Sequence, residues 1–181
     1  LNPTTPYAAA KAGADRLVHS YVVSYDIPGV IIRPFNNYGP SQHLEKVIPR
    51  FITSALLGEP LTIHGDGTAE RDWIFVEDTV EAVDKAVHAP IDKVRGEVFN
   101  AGSGVSISVL KIAEMICDVF GLDRKNLEFM EERFGQVEKH ISSTEKSASI
   151  IGFKPKVDFN EGIRRTIEWY KNNKAACGKQ V

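Results

Sequence analysis

The feature that most constrains this chain is a repeated exchange between apolar residues at helical spacing and short runs of β-branched residues. Leu17, Val18, Tyr21, Val22 and Tyr25 share one helical face, after a Thr5-Pro6 start that suits a capping hydroxyl followed by proline at the first helical position. A helix from Pro6 to Tyr25 is therefore predicted. Asp26-Ile27-Pro28-Gly29 breaks it, and Val30-Ile31-Ile32 is a continuous β-branched run of the kind buried on both faces of a parallel sheet. Beyond a loop from Arg33 to His43, Val47, Ile48, Phe51, Ile52, Ala55 and Leu56 mark a second helix that stops at Gly58-Glu59-Pro60. Two short strands, Leu61 to His64 and Arg71 to Val76, are joined through Gly65-Asp66-Gly67. A helix near Glu77 to His88, a strand at Glu97 to Asn100 and a helix from Ser108 to Phe120 continue the alternation. A strand at Leu127 to Met130 and two helices, Thr144 to Ile151 and Asn160 to Lys171, close it. No internal repeat or low-complexity linker interrupts the pattern, so the expectation is one compact α/β unit.

The 181 residues suffice for a well-buried core. With 22 Lys plus Arg against 24 Asp plus Glu, the net charge is -2 and both signs are interspersed, which offers no basic field for a nucleic-acid backbone. Apolar runs such as Pro28 to Ile32 stop far short of the roughly 20 residues that cross a bilayer. Neither nucleic acid nor a membrane is an expected partner. Cys117 and Cys177 make no disulfide framework or zinc pattern, and a reducing cytoplasm is the expected compartment. The chain opens Leu1-Asn2-Pro3-Thr4-Thr5-Pro6, without an initiator Met or a signal-peptide pattern, and reads as a chain entered midway.

Tyr7 and Lys11 lie one turn apart on the first helix, with Ala8-Ala9-Ala10 between them. A free phenol, with a pKa of about 10, is a poor base at neutral pH, and a fixed positive charge beside it favours the phenolate that general acid/base chemistry needs. On spacing alone a surface lysine beside a packed tyrosine is the plainer reading, since Tyr-x-x-x-Lys arises by chance in roughly a third of chains this long. The alanines leave that turn thin, which suits close approach of a ligand or another helix. Arg33-Pro34-Phe35-Asn36-Asn37-Tyr38-Gly39-Pro40 follows the buried strand, and open α/β sheets collect ligands beyond the carboxyl ends of their strands. The segment is either a polar rim for a ligand or a loop whose asparagines satisfy their own turns. Arg71-Asp72-Trp73 is either a forked cation for a diphosphate or an Arg-Asp pair shielding a tryptophan. Gly102-Ser103-Gly104 has Ile107 where a dinucleotide loop needs its third glycine, and is read as a strand-to-helix turn. The histidines, including His64 at the end of a strand, have no ligand spacing, so no metal site is expected. Met115 and Met130 are read as core, and Glu131-Glu132-Arg133 as a solvated charged run.

In this order, these segments resemble the C-terminal part of extended short-chain dehydrogenase/reductases that act on nucleotide sugars, the epimerase/dehydratase family. The matching blocks are PYAAAK (Pro6 to Lys11), RPFNNYGP (Arg33 to Pro40), EKVIPRFI (Glu45 to Ile52), LTIHGDG (Leu61 to Gly67), RDWIFVEDTVEA (Arg71 to Ala82) and FNAGSG (Phe99 to Gly104). The similarity extends to RFGQV (Arg133 to Val137) and to the closing stretch from Gly152 to Tyr170. The resemblance implies NAD as cofactor, with Tyr7 as acid/base at the sugar 4-hydroxyl and Lys11 on the nicotinamide ribose. It places the backbone near Pro34 and Phe35 against the nicotinamide and lets Asn36 reach the substrate phosphates or sugar. Lys46 and Val47 would line the nucleotide, Leu61 and His64 would pass near its base, and Arg71 and Arg133 would clamp the diphosphate. Phe134 stands where the family usually has proline, and Gln136 where several members carry an acid or histidine. The family's glycine-rich turn, its catalytic Ser or Thr and the Asp-Glu pair of the dehydratases would all precede Leu1.

The fold implied is the C-terminal part of a Rossmann-like, doubly wound parallel sheet with a small α/β substrate-binding part. Residues 1–35 and 72–101 would complete the sheet, and 36–71 with 102–181 would form the substrate-binding part. The leading expectation is an NAD-dependent nucleotide-sugar 4-epimerase of the UDP-glucose/galactose type acting through a 4-keto sugar. It would be present here as a fragment lacking the glycine-rich cofactor loop, and inactive alone. The NNYGP block followed by EK and IP leans toward the dTDP-glucose 4,6-dehydratases, while GSG and GQV look more like epimerase-type members. A non-catalytic module that holds a nucleoside-diphosphate sugar is the third expectation. Family members form homodimers through the helix that here runs from Tyr7 to Tyr25, which would leave an apolar stripe of Leu17, Tyr21 and Tyr25 exposed on a lone copy.

Overall fold

Thr5 caps the first helix, its hydroxyl accepting the Ala8 N–H at 3.2 Å, and α1 (Pro6–Tyr25) follows with proline in its first turn. Asp26, in the left-handed region, ends it. The computed structural model describes residues 2–132, 135 and 137–174. After α1 come β1 (Ile31–Pro34), β2 (Asn36–Tyr38), α2 (Val47–Leu57), β3 (Leu61–His64), β4 (Glu70–Phe75), α3 (Val76–His88) and the single turn α4 (Ile91–Val94). Then follow β5 (Val98–Ala101), β6 (Ser106–Ser108), α5 (Val109–Phe120), β7 (Leu127–Met130), β8 (Lys139–His140), α6 (Glu145–Ile151) and α7 (Phe159–Asn172). Among the described residues, no helix is long and apolar enough to cross a membrane.

The strands pair mostly in parallel, in three sets. β1 lies beside β5, β3 beside β7, and β4 takes β2 and β8 in parallel and β6 antiparallel. The run from β1 to β2 changes partner at Phe35: its N–H donates to Ala101 O at 2.8 Å, and the next residue, Asn36, already stands opposite Trp73 of β4. The expected loop from Arg33 to His43 therefore contains a strand, which its asparagines, poor strand formers, concealed.

Three further expectations are corrected. β3 and β4 are joined by the Gly65 turn but do not pair. Gly65 N–H extends the β3–β7 ladder by donating to Met130 O, and Gly67 O accepts the Leu110 N–H at the start of α5, drawing the connection away from a hairpin. Ile31 and Ile32 are half-buried rather than covered on both faces, because β1 has one neighbouring strand among the described residues and α1 buries only Val22. Gly102-Ser103-Gly104 leads from strand to strand, since β6 intervenes before α5.

Two hydrophobic clusters hold these elements. The larger joins α2, β3, α5 and α7 through Phe51, Ile52, Leu61, Ile63, Ile112, Ile116 and Tyr170. The smaller gathers Ile74, Ala82, Phe99, Ile151 and Phe153 under β1 and β5. Gly162 on α7 marks the closest approach in the larger one: a Cβ there would stand 2.1 Å from the Tyr38 hydroxyl oxygen. Tyr38 is 1% exposed, and burial, with Asp158 and Asp78 adding to it, pushes its hydroxyl pKa well above the ordinary value. Gly162→Ala is expected to cost about 2–3 kcal/mol as overpacking. Adding Tyr38→Phe, which removes the clashing oxygen, should recover part of that loss in urea unfolding.

Candidate active site

The amino end of α1 and the carboxyl end of β1 face each other across an open cavity of about 920 Å³. Tyr7 and Lys11, one turn apart on α1, project from one side, and Pro34, Phe35 and Asn36 form the facing wall. Lys46 and Val47 close it at the start of α2, and Trp73 of β4 also reaches it. Tyr7 is 75% exposed, and among the described residues neither its hydroxyl nor the Lys11 ammonium has a polar partner.

Asp15, the next turn after Lys11, carries a nearly buried carboxylate, 8% exposed. Its Oδ2 accepts from Arg33 Nε at 2.7 Å and its Oδ1 from Arg16 Nε at 3.0 Å. Burial alone would raise its pKa, but the hydrogen bonds from Arg16 and Arg33 outweigh it and hold the carboxyl below its ordinary value. Among the described residues, Asn36 Nδ2 and Gln42 Oε1 are buried without a hydrogen-bond partner, and both residues line the cavity. Orphaned buried groups are costly, so the wall of the cavity holds one donor and one acceptor that a polar group in the cavity can satisfy.

Of the residues expected from sequence, Tyr7, Lys11, Pro34, Phe35, Asn36, Lys46 and Val47 come together in this cavity. Leu61, His64 and Arg71 do not line it. Leu61 is fully buried in the larger cluster. His64 is half-buried, with Nδ1 3.1 Å from Glu131 O. Arg71, on β4, donates to Glu70 O at 2.8 Å, and no carboxylate pairs with it among the described residues. Arg133, with Phe134 and Gln136, lies outside the described residues. Gly135 beside them abuts the cap of α1, where a Cβ would sit 3.1 Å from Thr5 Cγ2.

Sequence reasoning missed four contributors. Asp15 and Gln42 are wall residues, and the four-residue spacing of Tyr7, Lys11 and Asp15 was the available signal for the first. His140 backs the wall: its ring lies 4.7 Å from that of Phe35. Asp72 fixes what backs it, and neither reading of Arg71-Asp72-Trp73 describes its role. Fully buried, it accepts the Ser103 N–H and hydroxyl, both at 2.7 Å, the Gly104 N–H at 3.0 Å, and the Ser142 N–H at 3.0 Å and hydroxyl at 2.5 Å. Burial pushes its pKa up, and these donors more than offset that, leaving it below the ordinary value. The knot leaves no space at Gly102, where a Cβ would stand 2.3 Å from Ser142 Oγ.

The sequence profile of the NAD dependent epimerase/dehydratase family matches residues 1–102, more than half of the chain. The chain belongs to this family. A curated relative, the low-salt glycan biosynthesis protein Agl12 of Haloferax volcanii, is 41% identical over 94% of this chain and 54% of its own length. Among solved structures, the dTDP-glucose 4,6-dehydratase of Bacillus anthracis in complex with NAD superposes with a TM-score of 0.90 at 34% identity, over 97% of this chain and 55% of that one. The UDP-glucose 4-epimerase of Thermotoga maritima with UDP-glucose gives a TM-score of 0.89 at 29% identity, over 96% and 55%. The mixed α/β architecture described above is thus the Rossmann-like fold of family members whose named activities are enzymatic. The chain spans about half the length of the curated relatives it matches.

Proposed function

We propose that the polypeptide carrying this chain oxidises C4 of a nucleoside-diphosphate sugar with NAD, and that the cavity between α1 and β1 is where this happens. The observation that carries the reading is the convergence of Tyr7, Lys11, Phe35 and Asn36 on one open cavity, with Tyr7 and Lys11 unpartnered among the described residues. The walls fit a nicotinamide riboside and a sugar. Pro34 and Phe35 line the cavity with apolar surface and backbone, Lys11 offers donors for ribose hydroxyls, and the orphaned Asn36 Nδ2 offers a donor for the substrate. When bound, NAD supplies the hydride acceptor for the sugar carbon and later returns that hydride.

The chain's own residues do the rest. The Tyr7 oxygen takes the 4-hydroxyl proton as the 4-keto sugar forms, and Lys11, one turn on, keeps a positive charge beside it. Arg71, a cation without a carboxylate partner among the described residues, and Arg133 are assigned to the diphosphate, with Lys46 and Val47 along the nucleotide and Leu61 and His64 toward its base. Residues 1–35 and 72–101 are assigned to the cofactor-side sheet, and 36–71 with 102–181 to the substrate side. The two separate hydrophobic clusters support that division in part, although Ile151 and Phe153 pack with the first group and Trp73 and Phe75 with the second.

For the fate of the 4-keto sugar, 4,6-dehydration is placed ahead of 4-epimerisation. The supporting fact is that, among the solved structures, two dTDP-glucose 4,6-dehydratases are 32% and 34% identical to this chain, against 29% for the UDP-glucose 4-epimerase. Incubation with NAD and dTDP-glucose or UDP-glucose, followed by NMR of the sugar, tests it. A 4-keto-6-deoxy sugar is expected, a galacto-configured product would establish the epimerase, and unchanged sugar would defeat both. The half-length coverage supports a second reading for the chain by itself: it binds the sugar nucleotide without turnover, which the same assay on the isolated chain checks.

The homodimer contact is assigned to α1. Leu17, Tyr21 and Tyr25 are 57%, 48% and 71% exposed, an apolar face that water disfavours. Sedimentation of this chain should show self-association that Leu17→Glu with Tyr21→Glu disperses. A monomer at every concentration would contradict the assignment.

A further inference from the structure

We propose that Arg33 is a positioning residue whose task is to occupy the Asp15 carboxylate, so that the Lys11 ammonium stays available to the cavity. The inference rests on the C4-oxidation reading. Tyr7, Lys11 and Asp15 follow one another at four-residue intervals along α1 and all line the cavity. Residues at that spacing are neighbours on a helix, so Asp15 is the acid that Lys11 would otherwise meet one turn on. Its oxygens are engaged elsewhere. Oδ1 is held by Arg16, and Oδ2 by Arg33 through Nε at 2.7 Å and Nη2 at 2.6 Å. Lys11 forms no ion pair among the described residues.

The two arginines are not equivalent. Arg16 adjoins Asp15 on the same helix and its side chain is 53% exposed, so it fixes nothing beyond α1. Arg33 belongs to β1, directly before the Pro34-Phe35 wall, so its fork ties the helix that carries Tyr7 and Lys11 to the strand facing them. Without Arg33, the Asp15 carboxylate keeps Arg16 on Oδ1, but Oδ2, in an 8% exposed side chain, loses both of its donors, and an acceptor left without one is costly. Lys11 is the cation one turn away that can answer it. The other lysine lining the cavity, Lys46, stands at the cap of α2. An ammonium drawn to Asp15 is withdrawn from Tyr7 and from the cofactor ribose.

The test uses the whole polypeptide that carries this chain and reads Lys11 directly, by the rate at which an amine-reactive ester acylates it, followed by peptide mass spectrometry. Arg33→Gln is expected to slow that acylation about threefold or more, the range of a modest ion pair. It should also lower kcat about tenfold with little change in the sugar KM, as loss of a transition-state contribution does. Asp15→Asn combined with Arg33→Gln removes the competing acid and should restore Lys11 reactivity and most of kcat. Arg33→Lys should retain much of both. Unchanged Lys11 acylation in Arg33→Gln, or a double variant no better than the single one, would overturn the proposal and leave Arg33 a brace. A wild-type protein that converts no nucleotide sugar defeats the C4-oxidation reading instead, and the acylation comparison still decides the role of Arg33.

Discussion

Tyr7→Phe is expected to lower kcat by about 10²–10⁴-fold, the usual worth of a positioned proton-transfer group, while the sugar KM stays close to that of the wild type. The ring remains, so the packing contribution of a side chain that is 75% exposed is retained. Only the hydroxyl is lost, and among the described residues that hydroxyl bonds to nothing in the protein. Stability should therefore be unchanged within about 0.5 kcal/mol, as for most surface substitutions. A variant with unaltered kcat would move the proton transfer away from α1. A variant that lost stability along with activity would mean that the phenol serves the fold, and steady-state kinetics beside urea unfolding separates the two.

Asp72→Asn is expected to be the most destabilising conservative change in the chain, at about 3 kcal/mol. The carboxylate accepts from two hydroxyls and three backbone N–H groups contributed by the segments at Ser103 and Ser142. An amide turns one acceptor into a donor aimed at donors, inside a fully buried side chain, and the Ser142 groups it abandons are buried as well. The pH dependence carries a sign. The folded-state pKa of Asp72 is lowered from its ordinary 3.8, so its contribution is fully present above that value and is lost as pH falls through the lower, folded-state one. Acid unfolding of Asp72→Asn should accordingly be shallower below the ordinary carboxylate range than that of the wild type. Equal acid sensitivity in the two proteins would mean that the buried knot is not ionised.

That knot also shows why parts of the site were hidden from the sequence. Arg71 and Asp72 are adjacent, which invited an ion pair, but neighbours on a strand point to opposite faces and Asp72 turns inward. Its partners lie 31 and 70 residues away, at distances no local pattern encodes. His140 is similar: it reaches Phe35 because the two-residue strand β8 registers on Arg71 of β4. Elements whose signals are local were legible. α1 runs from Pro6 to Tyr25 as its cap and spacing dictated, and α2 begins at Val47 and stops at Gly58. The short strands β2, β6 and β8 were not, because their two or three residues form strands only through the partners that hold them. In the cavity the legible residues were those inside continuous blocks, such as Tyr7 with Lys11 and Pro34 to Asn36. Asp15 and Gln42 take their meaning from what folding brings opposite them.

The most direct measurement follows the hydrogen at C4. A nucleoside-diphosphate glucose carrying deuterium at that carbon would be incubated with NAD and the polypeptide that carries this chain, and the product examined by NMR and mass spectrometry. Oxidation at C4 with return of the same hydride predicts that the deuterium is retained in the product, at C6 if the sugar is dehydrated and at C4 if it is epimerised. A product whose deuterium has exchanged with water, or recovery of the sugar unchanged, would contradict the account.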